Sequence, residues 1–419
     1  MTSRERLIAT LNHRQPDRVC VDMGATATSG VAASTVSRLR EAVLGEKGYR
    51  VKVVEPYQML GEVDEDLRQA LGFDVVGLPG GTTLFGFENR DWKPFTLFDG
   101  TEVLVPGQFN VTTNADGDLL IYPGGDTSVP PSGRMPKGGF YFDSIIRQPP
   151  VDDDRLNPAD NLEEFEVFTK TQVRDVADRA KAAAAQGSYG VVIGGLGTAL
   201  GDIALIPAPF MKHPKGIRDV EEWYVSTVAR RDYVHAVFVR QTEIAERNIA
   251  ALGKAVGDAA QAAFVCGTDF GTQRAPFLSP QTYRELYSPY YKRINAAIHK
   301  HTPWKTLKHS CGSIRELIPL MIEDGFDILN PVQCSACGME PRELKREFGR
   351  AVVFWGGGID TQKTLPFGTP DEVYREVRER IEIFNEGGGF VFNTIHNIQI
   401  GTPVANVMAM FKAIRDSAR

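Results

Sequence analysis

Thr306-Leu-Lys308-His309-Ser310-Cys311-Gly312-Ser313 passes from a short strand-like run straight into a polar loop carrying an imidazole and a thiol. The same grammar recurs on both sides. Val191–Ile193 leads into GGLGTALGD, Ala263–Cys266 into GTDFGTQ, Ile328–Leu329 into NPVQCSAC, Val352–Trp355 into GGGIDTQ, and Phe390–Phe392 into NTIHNIQ. Short apolar runs without alternation suit strands buried on both faces. Helical stretches such as Ser313–Asp324 and Pro370–Phe384 lie between them. Repeated units of this kind predict a parallel sheet. Their number favours closure into a (β/α)8 barrel over the alternative, an open doubly wound sheet.

Upstream, Ser3 is expected to cap a helix over Arg4–Asn12 with Leu7, Ile8 and Leu11 as its apolar stripe, stopped by Pro16. Strands are expected at Val19–Met23, Val51–Val54 and Asp74–Leu78, with helices over 31–46 and Val63–Leu71. Between residues 85 and 150 the pattern changes to short β runs at Thr101–Val105, Phe109–Thr113 and Leu119–Tyr122, with a hairpin turn at Asn114–Asp118. The expectation is a single barrel domain over 1–419, with 85–150 inserted over one end.

The 419 residues carry a net charge of −6 and no basic stripe interleaved with aromatics, which argues against nucleic acid as a partner. No run approaches the roughly 18 apolar residues of a membrane span. The N-terminus lacks a signal-type apolar segment. Five scattered cysteines suit a reducing compartment, so the cytoplasm is expected.

Chemistry-bearing residues cluster after the strands, where barrel active sites form. His309 and Cys311, at i and i+2, can chelate one borderline-soft ion, usually zinc; the alternative is a packed imidazole and an inert thiol. A helix opening near Ser313 would lower the Cys311 pKa through its dipole. His396, after the last strand, shares the mouth and can complete the set, or be a hydrogen-bonded structural residue. Cys334 and Cys337 are further possible ligands or loop filler. Three ligands with an open fourth position is the pattern of a catalytic zinc. Asp269 is the candidate acid/base or orienting carboxylate, with Gln333 and Asp360 beside it as catalytic candidates. Gln273, Asn330, Gln362 and Gln399 look like substrate hydrogen-bonding groups, and Glu55 and Tyr57 are additional candidates. The glycine runs at 194–197 and 356–358 fit no nucleotide motif.

DFGTQ (269–273), HSCGS (309–313), ILNPVQ (328–333), FWGGGID (354–360), and HNIQ with TPVANVMAM (396–410) together resemble the uroporphyrinogen decarboxylase superfamily. So do Ser3-Arg-Glu-Arg-Leu7 and Pro16-Asp-Arg18. The resemblance spans essentially the full chain and implies a (β/α)8 barrel. True decarboxylases of that superfamily use no metal and carry an R-Q-A-G-R motif that grips substrate carboxylates. Here Asp22-Met-Gly-Ala-Thr26 stands in that region. The other branch comprises zinc-dependent methyltransferases working with corrinoid proteins, whose zinc is held by H-x-C and a later cysteine. His309 and Cys311 match the pair, and the later position, counted back from Thr402-Pro403 and Asn406, falls on His396. A donor set of two histidines and one cysteine carries one negative charge fewer, which favours an oxygen-bearing substrate such as a methyl ether. The resemblance thus implies a zinc-dependent methyltransferase acting between a small O-, N- or S-methyl compound and a separate corrinoid protein, since the chain has no D-x-H-x-x-G motif. A homodimer is common in the superfamily. A zinc-dependent lyase or hydrolase using Asp269 as base is the alternative, and a non-catalytic binding protein a third reading.

Overall fold

Alternation along eight short strands determines what the barrel encloses. The computed structural model describes residues 1–78 and 80–418. Its main sheet contains β1 (Cys20–Val21), β2 (Val75–Gly77), β3 (Gly190–Ile193), β4 (Ala262–Cys266), β5 (Lys305–His309), β6 (Ile328–Asn330), β7 (Val353–Trp355) and β8 (Phe390–Phe392). All pairings are parallel, in the order β1-β8-β7-β6-β5-β4-β3-β2, so chain neighbours are sheet neighbours. The two ends meet where the Asp74 N–H donates to the Val21 carbonyl at 2.8 Å and the Val21 N–H donates to the Asp74 carboxylate at 3.0 Å. Asp74 is fully buried, and Arg6 and Arg18 neutralise it at 2.6 and 2.7 Å. This is a (β/α)8 barrel rather than an open sheet.

Each strand sends one residue into a shared apolar layer: Cys20, Val75, Val192, Ala262, Leu307, Ile328, Val353 and Val391. Leu7 and Leu11 of the N-terminal helix Ser3–Leu11 plug that layer from below. β3 begins with glycine there because a Cβ on Gly190 would stand 2.3 Å from Leu7. Because side chains alternate with period two, the next inward layer toward the C-terminal face holds Asp22, Phe264, His309, Asn330, Trp355 and Asn393. Outward residues such as Val21, Ile193, Val265, Phe354 and Phe392 pack in a larger cluster with the surrounding helices.

Several expectations shift. The first helix is capped by Thr2, whose hydroxyl accepts from Glu5 N–H while Glu5 accepts from Thr2 N–H, a reciprocal box Ser3 cannot make. The run around Val51–Val54 forms a strand, Val53–Glu55, but it pairs antiparallel with Leu60–Gly61 outside the barrel. After Cys311 the first helical turn is a 3-10 turn, Arg315–Leu317, and the α-helix covers only Ile318–Glu323.

The segment after β2 builds a hairpin from Lys93–Thr96 and Glu102–Val105. It also builds a four-stranded antiparallel sheet ordered Asp143–Ser144, Gly133–Met135, Leu119–Ile121, Val111–Thr113. Phe142 packs edge-on against Phe85 and Phe109 at its centre, at 5.6 and 6.1 Å. Phe140 and Tyr141 line a small cavity together with Asn397 and Gln399 of the β8 loop, which places this part of the segment at the C-terminal rim. Among the described residues no helix is long and apolar enough to cross a membrane.

Candidate metal centre at the barrel mouth

The inward layer at the strand ends is where the polar residues converge. His309 closes β5, Cys311 follows in its loop, and His396 arrives from the loop after β8. One ligand atom from each lies within 4.8 Å of the others. His309 Nε2 and Cys311 Sγ are 3.5 Å apart. Zinc bonds of about 2.0–2.1 Å to nitrogen and 2.3 Å to sulfur at a tetrahedral angle place such a pair about 3.5–3.6 Å apart. The two imidazoles meet edge to face at 6.0 Å between centroids.

Electrostatics suit a cation. Burial pulls His309 down to about 4, against the pull of its hydrogen bond to Asn330. Burial, and then His309 itself, pull His396 down to about 4. Both rings are therefore neutral at pH 7 and offer lone pairs. Burial, with Asp269 adding to it, pushes the Cys311 thiol well up. The expected dipole effect on Cys311 does not arise, because the first helical turn starts only at Arg315.

The Cys311 loop is held from three sides. Its N–H donates to Asp269 Oδ1 at 2.6 Å, and that oxygen lies 3.8 Å from His309 Nε2. Burial raises the Asp269 carboxyl, opposed by the Cys311 N–H. Gly312 has a positive φ of 86°, and a Cβ there would stand 2.4 Å from Gly271, so the tight loop requires glycine. The Gly312 N–H donates to Gln333 Oε1 at 2.8 Å, and Gln333 Nε2 donates to Gln273 Oε1 at 3.1 Å. Asp269, Gln333 and Gln273 therefore adjoin the centre as a connected brace.

Other expected site residues have different neighbours. Asn330 is buried and accepts from His309 Nδ1 at 2.6 Å while donating to the Trp355 carbonyl at 2.9 Å. Asp360 accepts from the N–H groups of Gln362 and Lys363, closing a turn. Glu55 does the same for Tyr57 and Gln58, and burial pushes it up to about 7. Tyr57 pairs with Ser144 at 3.3 Å. Gln399 is exposed on the rim. Cys334 is directed at the Val332 and Gly357 carbonyls, and burial raises it to about 12. Neither Cys334 nor the exposed Cys337 belongs to the convergent ligand cluster.

Two buried charges escaped the reading of the residues. Lys308 points away from the barrel axis, donates to the Thr268 carbonyl at 2.6 Å and lies 4.7 Å over the Phe270 ring. Its signal is a lysine inside an otherwise buried strand. Asp202, in the loop after β3, accepts from Gly267 N–H at 2.8 Å, and burial raises it. Its signal is an acid following glycines at a strand end.

Fold and site together define a (β/α)8-barrel protein with a candidate metal centre at the C-terminal mouth. Residues 149–417 match the family described as uroporphyrinogen decarboxylase (URO-D), and the chain belongs to that family. Over 217 residues it is 25% identical to the methylated-thiol–coenzyme M methyltransferase of Methanosarcina mazei, covering 51% of this chain and 53% of that protein. The chain thus matches about half the length of that curated relative. A solved methyltransferase from Methanosarcina mazei covers 99% of both chains with a TM-score of 0.55 at 16% identity, a likeness of fold.

Proposed function

We propose that this protein is a zinc-dependent methyltransferase that moves a methyl group between a small substrate and a separate corrinoid protein. The observation that carries the proposal is the convergence of His309, Cys311 and His396 at the mouth of a URO-D family barrel. The partial likeness to a methyltransferase supports it. His309, Cys311 and His396 would hold the ion. Zinc when bound supplies a Lewis acid and template for the heteroatom that gives or takes the methyl group. A donor set with a single thiolate favours oxygen-bearing substrates such as methyl ethers.

Asp269, raised by burial and held to the Cys311 loop by the N–H it accepts, orients the substrate or carries a proton at its carboxyl oxygens. Gln333 holds that loop with both ends of its amide engaged, and the exposed Gln273 beside it would offer its amide N–H to the substrate. Gln399 and Tyr57 would contact substrate or partner from the rim, while Asp360 and Glu55 shape the loops around it. The cytoplasm and a homodimer complete the proposal. The test mixes zinc-loaded protein with cob(I)alamin or methylcob(III)alamin and a panel of methyl ethers, methylamines and thiols. Interconversion of the two cobalamin spectra with at least one compound is expected. Unchanged spectra throughout would overturn methyl transfer.

A further inference from the structure

Asn330 was expected among the substrate contacts, but its carboxamide is engaged at both ends. It closes β6 and is 4% exposed. Its Nδ2 donates to the Trp355 carbonyl on β7 at 2.9 Å. Trp355 is itself fixed, since its indole N–H donates to the fully buried Asp22 at 2.8 Å. Turning the carboxamide over would oppose two buried acceptor oxygens, Oδ1 and the Trp355 carbonyl, and leave both without a donor. The amide therefore has one orientation, with Oδ1 toward His309 Nδ1 at 2.6 Å.

A carboxamide oxygen only accepts, so Nδ1 must carry the hydrogen. A neutral imidazole has one N–H, which leaves a bare lone pair on Nε2. Nε2 is the nitrogen that lies 3.5 Å from Cys311 Sγ. The Thr28 hydroxyl adds a second, longer donation to Oδ1 at 3.4 Å. By contrast, neither ring nitrogen of His396 has a protein hydrogen-bond partner among the described residues.

We infer that Asn330 is a positioning residue. Oriented by the Trp355 carbonyl, it locks His309 in the Nδ1–H tautomer and presents Nε2 to the metal. The inference rests on His309 being a metal ligand, and it removes Asn330 from the substrate contacts. Outer partners of metal-bound histidines are typically worth about 10- to 100-fold in metal affinity. In competition with a chromophoric chelator, Asn330→Ala is therefore expected to bind zinc about 10- to 100-fold more weakly than wild type.

Long-range proton–nitrogen NMR correlations on the metal-free wild-type protein should show the His309 proton on Nδ1. Wild-type affinity in Asn330→Ala would overturn the inference. A His309 proton on Nε2 would overturn it without recourse to any variant, including where Asn330→Ala fails to fold. Wild-type protein that binds no zinc would instead remove the metal centre, while the tautomer still decides what Asn330 does.

Discussion

His309 and His396 reach the same point from unlike supports. His309 is the last residue of β5, paired in register with Asn330 on β6, and its ring is held through its own Nδ1. His396 lies in the loop beyond β8, and that loop is fixed one residue later. The buried Asn397 accepts from Gly30 N–H at 2.5 Å and donates to the Ala27 carbonyl and Gln58 Oε1 at 2.8 and 2.7 Å. One histidine is aimed by its side chain, the other only by its backbone. The strand-borne half of the centre is preorganised, and the loop-borne half can adjust to what it binds.

The sharpest way to break that distinction is to delete each ring in turn. Structural zinc sites bind with about 10–16 kcal/mol over four ligands, so one ligand is worth about 3 kcal/mol, or roughly a hundredfold in affinity. Both His309→Ala and His396→Ala should lose at least that much. His309→Ala should also destabilise the metal-free protein by about 1–3 kcal/mol, because it leaves the buried Asn330 oxygen only the longer donation from Thr28. Metal-free His396→Ala should melt closer to wild type than His309→Ala does, since no protein hydrogen bond to the His396 ring is lost. Equal melting of the two variants would erase the asymmetry, and full zinc occupancy in His396→Ala would remove that residue from the ligand set.

A smaller effect sharpens the comparison through pH. Both imidazoles titrate near 4 in the folded protein, so neither needs to lose a proton to zinc between pH 5 and 8. Cys311 does, since burial holds its thiol protonated. Zinc affinity should therefore rise about tenfold per pH unit across that window, the signature of one released proton. A rise of a hundredfold per unit would mean that a histidine is protonated too. In the metal-free protein the sign is separate. An unfolded histidine takes up its proton near pH 6.5 and the folded ones only near 4, so stability should fall as pH drops through that interval.

The last six barrel strands are legible in the sequence because a short apolar run ending in a glycine-rich polar loop fits a doubly buried strand. Ala263–Cys266 is read and Ala262–Cys266 is found. The first half is less transparent. Val53–Glu55 looks as apolar as β2, yet its partner Leu60–Gly61 is so near in sequence that it pairs locally and never enters the barrel. At the site, the H-x-C spacing, a shared barrel face and the resemblance to zinc methyltransferases together point to His309, Cys311 and His396, whose ligand atoms the fold brings within 4.8 Å of one another. Asn330 illustrates what is hidden. Its sequence position shows a polar group at the mouth, but which end of its amide faces His309 depends on a carbonyl of β7 that only the fold supplies.

The central claim is a single ion held by His309, Cys311 and His396. X-ray absorption at the zinc edge, on protein reconstituted with the metal, tests it most directly. One zinc per chain with one sulfur and at least two imidazole nitrogens in its first shell is the predicted result. A shell with no sulfur or with two, or protein that takes up no zinc, would contradict it.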